Sequence, residues 1–367
     1  MIPRAYDLAV IGSGSAAFAA AIRATALGAR VGMIERGTLG GTCVNIGCVP
    51  SKTLLHAGEL YHQAGHQPFA GIATSAGGVD LAALVGQKDE LVAHLRHEKY
   101  EELIAQYGWD LVRGEAHFRD EQTLEVGGRS LRAAHVLVAT GASPAAPPIP
   151  GLADVDYLTS TSALALTHRP ERLVVIGSGY VALELGQLFH HLGSEVTLVQ
   201  RSPRLLPRFE PEVAAAVQDV LSTPGLRFVA GVRYERVERA ADGYRVHVNI
   251  AGEPQVLAGD ALLVAAGRAP NAAALALERV GVAADARGAV VVDELLRTSN
   301  PRVFAAGDVT LGPQFVYVAA YEGALVADNV LNGAQRRIDL RVVPGVTFTN
   351  PQVATVGLTE AQARAAG

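Results

Sequence analysis

Apolar positions along the chain fall into two closely similar arrangements. Tyr6-Asp-Leu-Ala-Val-Ile11 is a short apolar run rich in β-formers, and it breaks at Gly12-Ser-Gly14-Ser-Ala-Ala17. A small-residue stretch through Leu27 follows, and Arg30-Val-Gly-Met-Ile34 then ends on Glu35. This order predicts strand, glycine turn, helix and strand. Arg172-Leu-Val-Val-Ile176 begins a second copy, with Gly177-Ser-Gly179-Tyr-Val-Ala182, a helical stretch through Leu192, and Glu195-Val-Thr-Leu-Val199. The buried-strand runs Val136–Val138, before Ala139-Thr140-Gly141, and Leu262–Val264, before Ala265-Ala-Gly267, close the two units. Between the copies, Val79 to Gly108 is amphipathic, with Leu81, Leu84, Leu91, Leu95, Leu103 and Ile104 as its apolar positions. Its charges, with His94 and His97, are expected to be a solvated face without chemistry.

The glycine turns carry a specific logic. Gly12 allows the tight turn, Gly14 lets a pyrophosphate approach the backbone, and Ala17 permits close helix packing. The helix N-terminus offers unpaired N–H groups, and Glu35 can accept from a ribose hydroxyl. Gly177, Gly179 and Ala182 repeat the set, so two dinucleotide sites are expected. The second strand runs into Gln200-Arg201, with Arg204 and Arg208 beyond, and has no acid there. Arginines at that place pair with a 2′-phosphate, whereas an acid would repel it. The second site is therefore expected to take NADPH, and the first the adenosine of FAD or NAD; the competing reading leaves these arginines merely solvated. Pro144-Ala-Ala-Pro147-Pro148-Ile-Pro150 is a stiff linker. The expected fold class is α/β, with two Rossmann-like domains, one inserted in the other: residues 1–150 and 271–340 form the first, and 151–270 the second.

Composition narrows the classes. Of the 367 residues 49% are hydrophobic and 18% charged, which excludes a mostly disordered chain. The net charge of −5 argues against a nucleic-acid or polybasic membrane binder. No apolar run approaches the ~18 residues of a membrane span, and Asp7, Gly12 and Gly14 interrupt the apolar N-terminus too early for a signal peptide. Lysine occurs only at Lys52, Lys88 and Lys99, so each hints at a needed ammonium group. Two cysteines, Cys43 and Cys48, are too few for a secreted disulfide scaffold, and a cytoplasmic location is expected.

Both cysteines lie in Gly40-Gly-Thr-Cys43-Val-Asn-Ile-Gly-Cys48-Val-Pro-Ser-Lys52. Three readings are open: a zinc site, two inert thiols, or a redox disulfide. Zinc needs about four ligands, and only the distant His56 accompanies the cysteines. In an ideal helix, residues five apart have Cα atoms roughly 8–9 Å apart, whereas a disulfide wants less than about 7 Å. A bridge thus requires a distorted helix, which Gly47 and Pro50 would permit. A helix N-terminus and Lys52 would favour a thiolate.

The run GTCVNIGCVPSK resembles the active-site motif of the pyridine nucleotide–disulfide oxidoreductases, and the resemblance extends over both glycine units, the Ala-Thr-Gly turn and Val303-Phe-Ala-Ala-Gly-Asp308. It implies FAD in the first unit, lined by Ala17, Glu35, Gly37, Thr42 and Ala116, with Asp308 on the ribityl chain, while Thr140, Gly141 and Gly267, at the ends of the two closing strands, are further cofactor-binding candidates. It implies a redox disulfide in which Cys43 meets substrate and Cys48 contacts the flavin. Lys52 would pair with Glu184 beside the flavin, and Tyr180 would cover the nicotinamide pocket. Gln314-Phe-Val-Tyr-Val-Ala-Ala320, Phe348-Thr-Asn-Pro-Gln-Val-Ala-Thr-Val-Gly357 and Ile149-Pro-Gly-Leu are similar to the mercury(II)-reducing members, which implies reduction of Hg(II) delivered as thiol complexes, with Cys43 and Cys48 as its transient ligands. Val316 would then reach the flavin through its backbone. A reductase of glutathione or lipoamide disulfide is the alternative, and a non-catalytic flavin redox sensor a further one. Those mercury-reducing members end in a dimerisation domain bearing a vicinal cysteine pair. Residues 341–367 resemble only its start, so a longer chain and a homodimer through that domain are expected.

Overall fold

The computed structural model describes residues 5–207 and 209–367. The chain divides into two compact units. One comprises residues 1–48, 91–143 and 268–340, and the other residues 49–90, 144–267 and 341–367. The second unit thus takes in the stretch from 49 to 90 as well as the second glycine motif. Both units are α/β.

In the first unit, Asp110–Arg113, Val31–Glu35, Ala5–Ile11 and Arg129–Val138 lie side by side in parallel, and Val303–Ala305 adds in parallel to Arg129–Val138. Thr123–Val126 and Ala116–Asp120 extend this sheet antiparallel. In the second unit, Leu226–Val229, Glu195–Val199, Arg172–Ile176 and Ala261–Val264 repeat the same parallel order. A separate antiparallel sheet is formed by Val232–Ala240, Gly243–Ile250 and Glu253–Gly259. The central strands are buried on both faces, which explains their unbroken apolar runs: Leu8, Val10, Val175 and Leu263 are almost fully enclosed.

Helix Ser15–Ala26 is nearly all small residues because of its neighbour, helix Val316–Leu331. A Cβ on Gly323 would lie 2.0 Å from the Ala16 carbonyl oxygen, so the two backbones meet directly. The amphipathic stretch forms helix Leu81–Arg96, a π-helical turn His97–Glu101 and helix Glu102–Tyr107. Its buried stripe differs from the expected one. Leu81, Val85, Lys88, Val92 and Ile104 are buried, while Leu91 is exposed. Lys88 is tolerated there because its ammonium meets the Leu164 carbonyl at 3.1 Å and the Asp89 carboxylate at 2.6 Å. No helix among the described residues is long and apolar enough to cross a membrane.

Candidate active site

The two glycine turns are built alike. Gly12 has φ +115°, and a Cβ there would sit 2.3 Å from the Ala139 carbonyl oxygen; at Gly177, with φ +132°, the same atom would meet the Ala265 oxygen at 2.3 Å. Gly14 and Gly179 each cap the following helix, Ser15–Ala26 or Tyr180–His191, in extended conformation and without a side-chain cap. The first-turn N–H groups are thereby left for an external acceptor. Ala17 and Ala182 are wholly buried beneath these turns.

Around the first turn the sequence-selected residues converge. Glu35, at the end of its strand, accepts from the Ser13 hydroxyl at 2.5 Å and from the Gly37 N–H at 2.6 Å. Ser13 in turn accepts from the Gly40 N–H at 3.2 Å. The backbone of Thr140–Gly141 is pinned by Asn271, whose side chain donates to the Thr140 carbonyl at 3.0 Å and whose N–H donates to the Gly141 carbonyl at 2.9 Å. The Thr140 hydroxyl is buried and has no hydrogen-bond partner among the described residues. Asp308 is half-buried, and burial raises its carboxyl pKa while Arg268, with Nε 3.7 Å away, pulls it down. Open helix N–H groups, a strand-end carboxylate and an orphaned buried hydroxyl suit an adenine dinucleotide. Ala116 is buried in the core of the first unit. Val316 begins helix Val316–Leu331 and is exposed.

Thr42 and Cys43 lie on the short helix Gly41–Ile46, which abuts the glycine turn: a Cβ on Gly41 would come within 2.6 Å of the Gly14 Cα. That helix stops at Gly47, whose φ of −125° and ψ of −111° are not helical, and Cys48 opens helix Cys48–His66. The five-residue spacing is therefore interrupted at Gly47 rather than running along one ideal helix. Cys43 is half-buried and Cys48 exposed. Tyr100, a residue to which the pattern of the sequence assigned nothing, belongs to this neighbourhood. The π-turn presents its ring 4.8 Å from Phe18, edge to face, and against Gly40. Burial raises its phenol pKa, and the Cys43 and Cys48 sulfurs raise it further.

In the second unit the Lys52 ammonium is 2.8 Å from the Glu184 carboxylate. Tyr180 opens its helix, a third exposed, with its ring 5.9 Å from Phe209. Arg201 is exposed and Arg204 half-buried, donating to the Pro207 carbonyl at 3.2 Å; Arg208 lies outside the described residues. Gln200 is buried, and its amide has no hydrogen-bond partner among the described residues. Gly267, with φ +149°, accepts through its carbonyl from the Ala145 N–H at 3.0 Å. No group of three or more histidine, cysteine or acidic side chains among the described residues is arranged to hold a metal ion.

A protein with two such nucleotide turns and a Cys-x4-Cys segment against one of them falls in a defined class. Residues 6–323 match the pyridine nucleotide-disulphide oxidoreductase family, and the chain belongs to it. It is 58% identical over 362 residues to mercuric reductase of Staphylococcus aureus, covering 99% of this chain and 66% of that protein. It is 51% identical to mercuric reductase of Streptomyces lividans, covering 99% and 77%. Among solved structures, the Cu(II) complex of the HOCl-induced flavoprotein disulfide reductase RclA from Escherichia coli superposes with a TM-score of 0.87 at 32% identity, over 99% of this chain and 80% of that one. The chain thus spans just under two thirds of the length of the Staphylococcus relative.

Proposed function

We propose that this chain is the nucleotide-binding and dithiol-bearing part of an NADPH-dependent mercury(II) reductase. The observation that carries the reading is the Cys43–Gly47–Cys48 segment seated directly on the first nucleotide turn through Gly41 and Gly14. The high identity to proteins named mercuric reductase supports the choice of substrate. In the overall reaction NADPH and Hg(II) give NADP+, a proton and elemental mercury.

FAD fits the first unit, held by the Ser15–Ala17 N–H groups, Glu35, Thr140 and Asp308. When bound it supplies two-electron carriage between the nicotinamide and sulfur. Residues 1–150 and 271–340 serve as its domain, and residues 151–270 as that of NADPH. In the second unit, Ala182 and the N-terminal N–H groups of helix Tyr180–His191 receive the NADPH pyrophosphate, Arg201 and Arg204 pair with the 2′-phosphate, and Tyr180 covers the nicotinamide pocket. Cys43 and Cys48, once reduced from their disulfide, bind Hg(II) as thiolates by exchange from small thiol complexes, because a soft cation prefers thiolate ligands. Lys52, fixed by Glu184, supplies a positive charge. A cytoplasmic location and a homodimer complete the reading.

The test is NADPH oxidation by the FAD-loaded protein in excess small thiol. Dependence on added Hg(II), lost in Cys43→Ser and Cys48→Ser, supports the proposal. Turnover with glutathione disulfide or lipoamide, and none with Hg(II), overturns it.

A further inference from the structure

The Lys52–Glu184 pair has a third member that the sequence did not single out. Strand Pro344–Thr347 leads into residues 348–351, and side chains there alternate as in extended chain. Thr347 and Thr349 are 0% and 2% exposed, whereas Phe348 between them is 38% exposed and faces the other way. The Phe348 ring lies under the Lys52 ammonium, with Nζ 4.6 Å from the ring centroid. The Phe348 N–H donates to the second Glu184 oxygen at 2.9 Å. One residue therefore touches both partners, the cation through its ring and the anion through its backbone.

The placement of Phe348 is enforced by a polar side chain one turn beyond Glu184 on helix Tyr180–His191. Gln187 is buried, and its amide makes both of its available kinds of bond to one residue: it donates to the Asn350 carbonyl at 2.8 Å and accepts the Asn350 N–H at 2.7 Å. The Asn350 side chain also donates to Glu59 at 3.1 Å. The Thr349 hydroxyl closes the turn onto the Pro351 carbonyl at 2.8 Å. Glu184 and Gln187 thus hold residues 348–350 in one register, and that register puts the ring over the ammonium.

A lysine with a third of its side chain exposed otherwise has several solvated rotamers open to it. A ring face on one side and a carboxylate on the other reduce these to one. We propose that Phe348 is a positioning residue that holds the Lys52 ammonium on Glu184 in the orientation flavin reduction uses. This rests on the function proposed above, in which Lys52 supplies a positive charge.

The chain has only three lysines, so labelling with lysine carrying 13C at the ε-carbon gives three signals, and Lys52→Arg assigns one of them. The Lys52 signal is expected upfield, shifted by the ring current. Phe348→Leu keeps the backbone donor and releases that shift, whereas Phe348→Tyr preserves it. In the FAD-loaded proteins, stopped-flow bleaching of the flavin by NADPH is expected to slow about three- to tenfold in Phe348→Leu and to recover in Phe348→Tyr. A Lys52 signal with no ring-current shift, or one unmoved in Phe348→Leu, overturns the inference. So does an unchanged bleaching rate when the signal has moved, and in that case the broader reading still stands. Protein that takes up no FAD defeats the broader reading, and with it the part of this inference that concerns flavin; the lysine signal still decides whether Phe348 orders Lys52.

Discussion

Lys52 and Glu184 are joined at 2.8 Å across 132 positions of sequence, and the burden of burial is unequal: 34% of the lysine side chain is exposed but only 6% of the glutamate. Removing the lysine leaves a buried carboxylate that keeps only the Phe348 N–H as a donor among the described residues. Removing the charge of the glutamate leaves a lysine that can turn to water. Lys52→Met is therefore expected to cost about 2–3 kcal/mol and Glu184→Gln about 1 kcal/mol. Urea unfolding of both variants checks the order, and an equal or reversed cost contradicts it.

The matched glycine turns predict separable losses. Alanine at Gly12 or Gly177 meets a carbonyl oxygen at 2.3 Å in a backbone region that L-residues rarely adopt. Each substitution is expected to destabilise its unit by about 1–3 kcal/mol. Gly12→Ala should lower FAD uptake, while Gly177→Ala should retain the yellow cofactor and lose NADPH affinity. Flavin absorbance and NADPH titration separate the two, and a variant losing both equally counts against two independent sites.

Arg201 stands just past the end of the second strand, where an acid would repel a 2′-phosphate. Arg201→Glu is expected to lower kcat/KM for NADPH by about 10- to 100-fold relative to NADH, the range of a charge-assisted phosphate contact. An unchanged ratio means that this arginine does not read the phosphate.

A histidine cluster makes the second unit sensitive to acid. The His62 ring stacks on His191 and on His66, each at 4.3 Å, and His190 lies 6.1 Å from both His62 and His191. His191 is 8% exposed. Its pKa falls from 6.5 to about 4, first through burial and then through His62, His190 and His66. His62 and His190 are lowered as well, chiefly by burial. A folded pKa below the unfolded value means that the unfolded chain binds protons first. The stability contribution is present above pH 6.5 and drains away as the pH falls towards about 4. Its size for His191 is on the order of 3 kcal/mol. His191→Phe should flatten the melting temperature between pH 6.5 and 4.5, and an unaltered slope there contradicts the account.

Much of this architecture was legible in the chain because nucleotide turns are local: strand, glycines and helix are contiguous, and the second copy repeats the first. The turn at Gly47 could likewise be anticipated, since a disulfide between helical positions five apart needs a break. What lay hidden was tertiary. The stripe through Val85, Lys88 and Val92 could not be told from one through Leu84, Leu91 and Leu95, because periodicity permits both and the packing partner decides. Tyr100 depends on a π-turn that displaces the ring by one residue, and no propensity marks such a turn. Phe348 stands in a run that resembles the family without marking any contact; its contact with Lys52 spans nearly 300 positions and depends on the bonds between Gln187 and Asn350.

Cys43 and Cys48 are proposed to form a redox pair in electronic contact with a flavin that NADPH reduces. Anaerobic titration of the FAD-loaded protein with NADPH measures this directly. About two equivalents are expected to be consumed, one for the flavin and one for the disulfide, falling to about one in Cys48→Ser. Uptake of a single equivalent by the unmodified protein, or the same uptake in both, would contradict it.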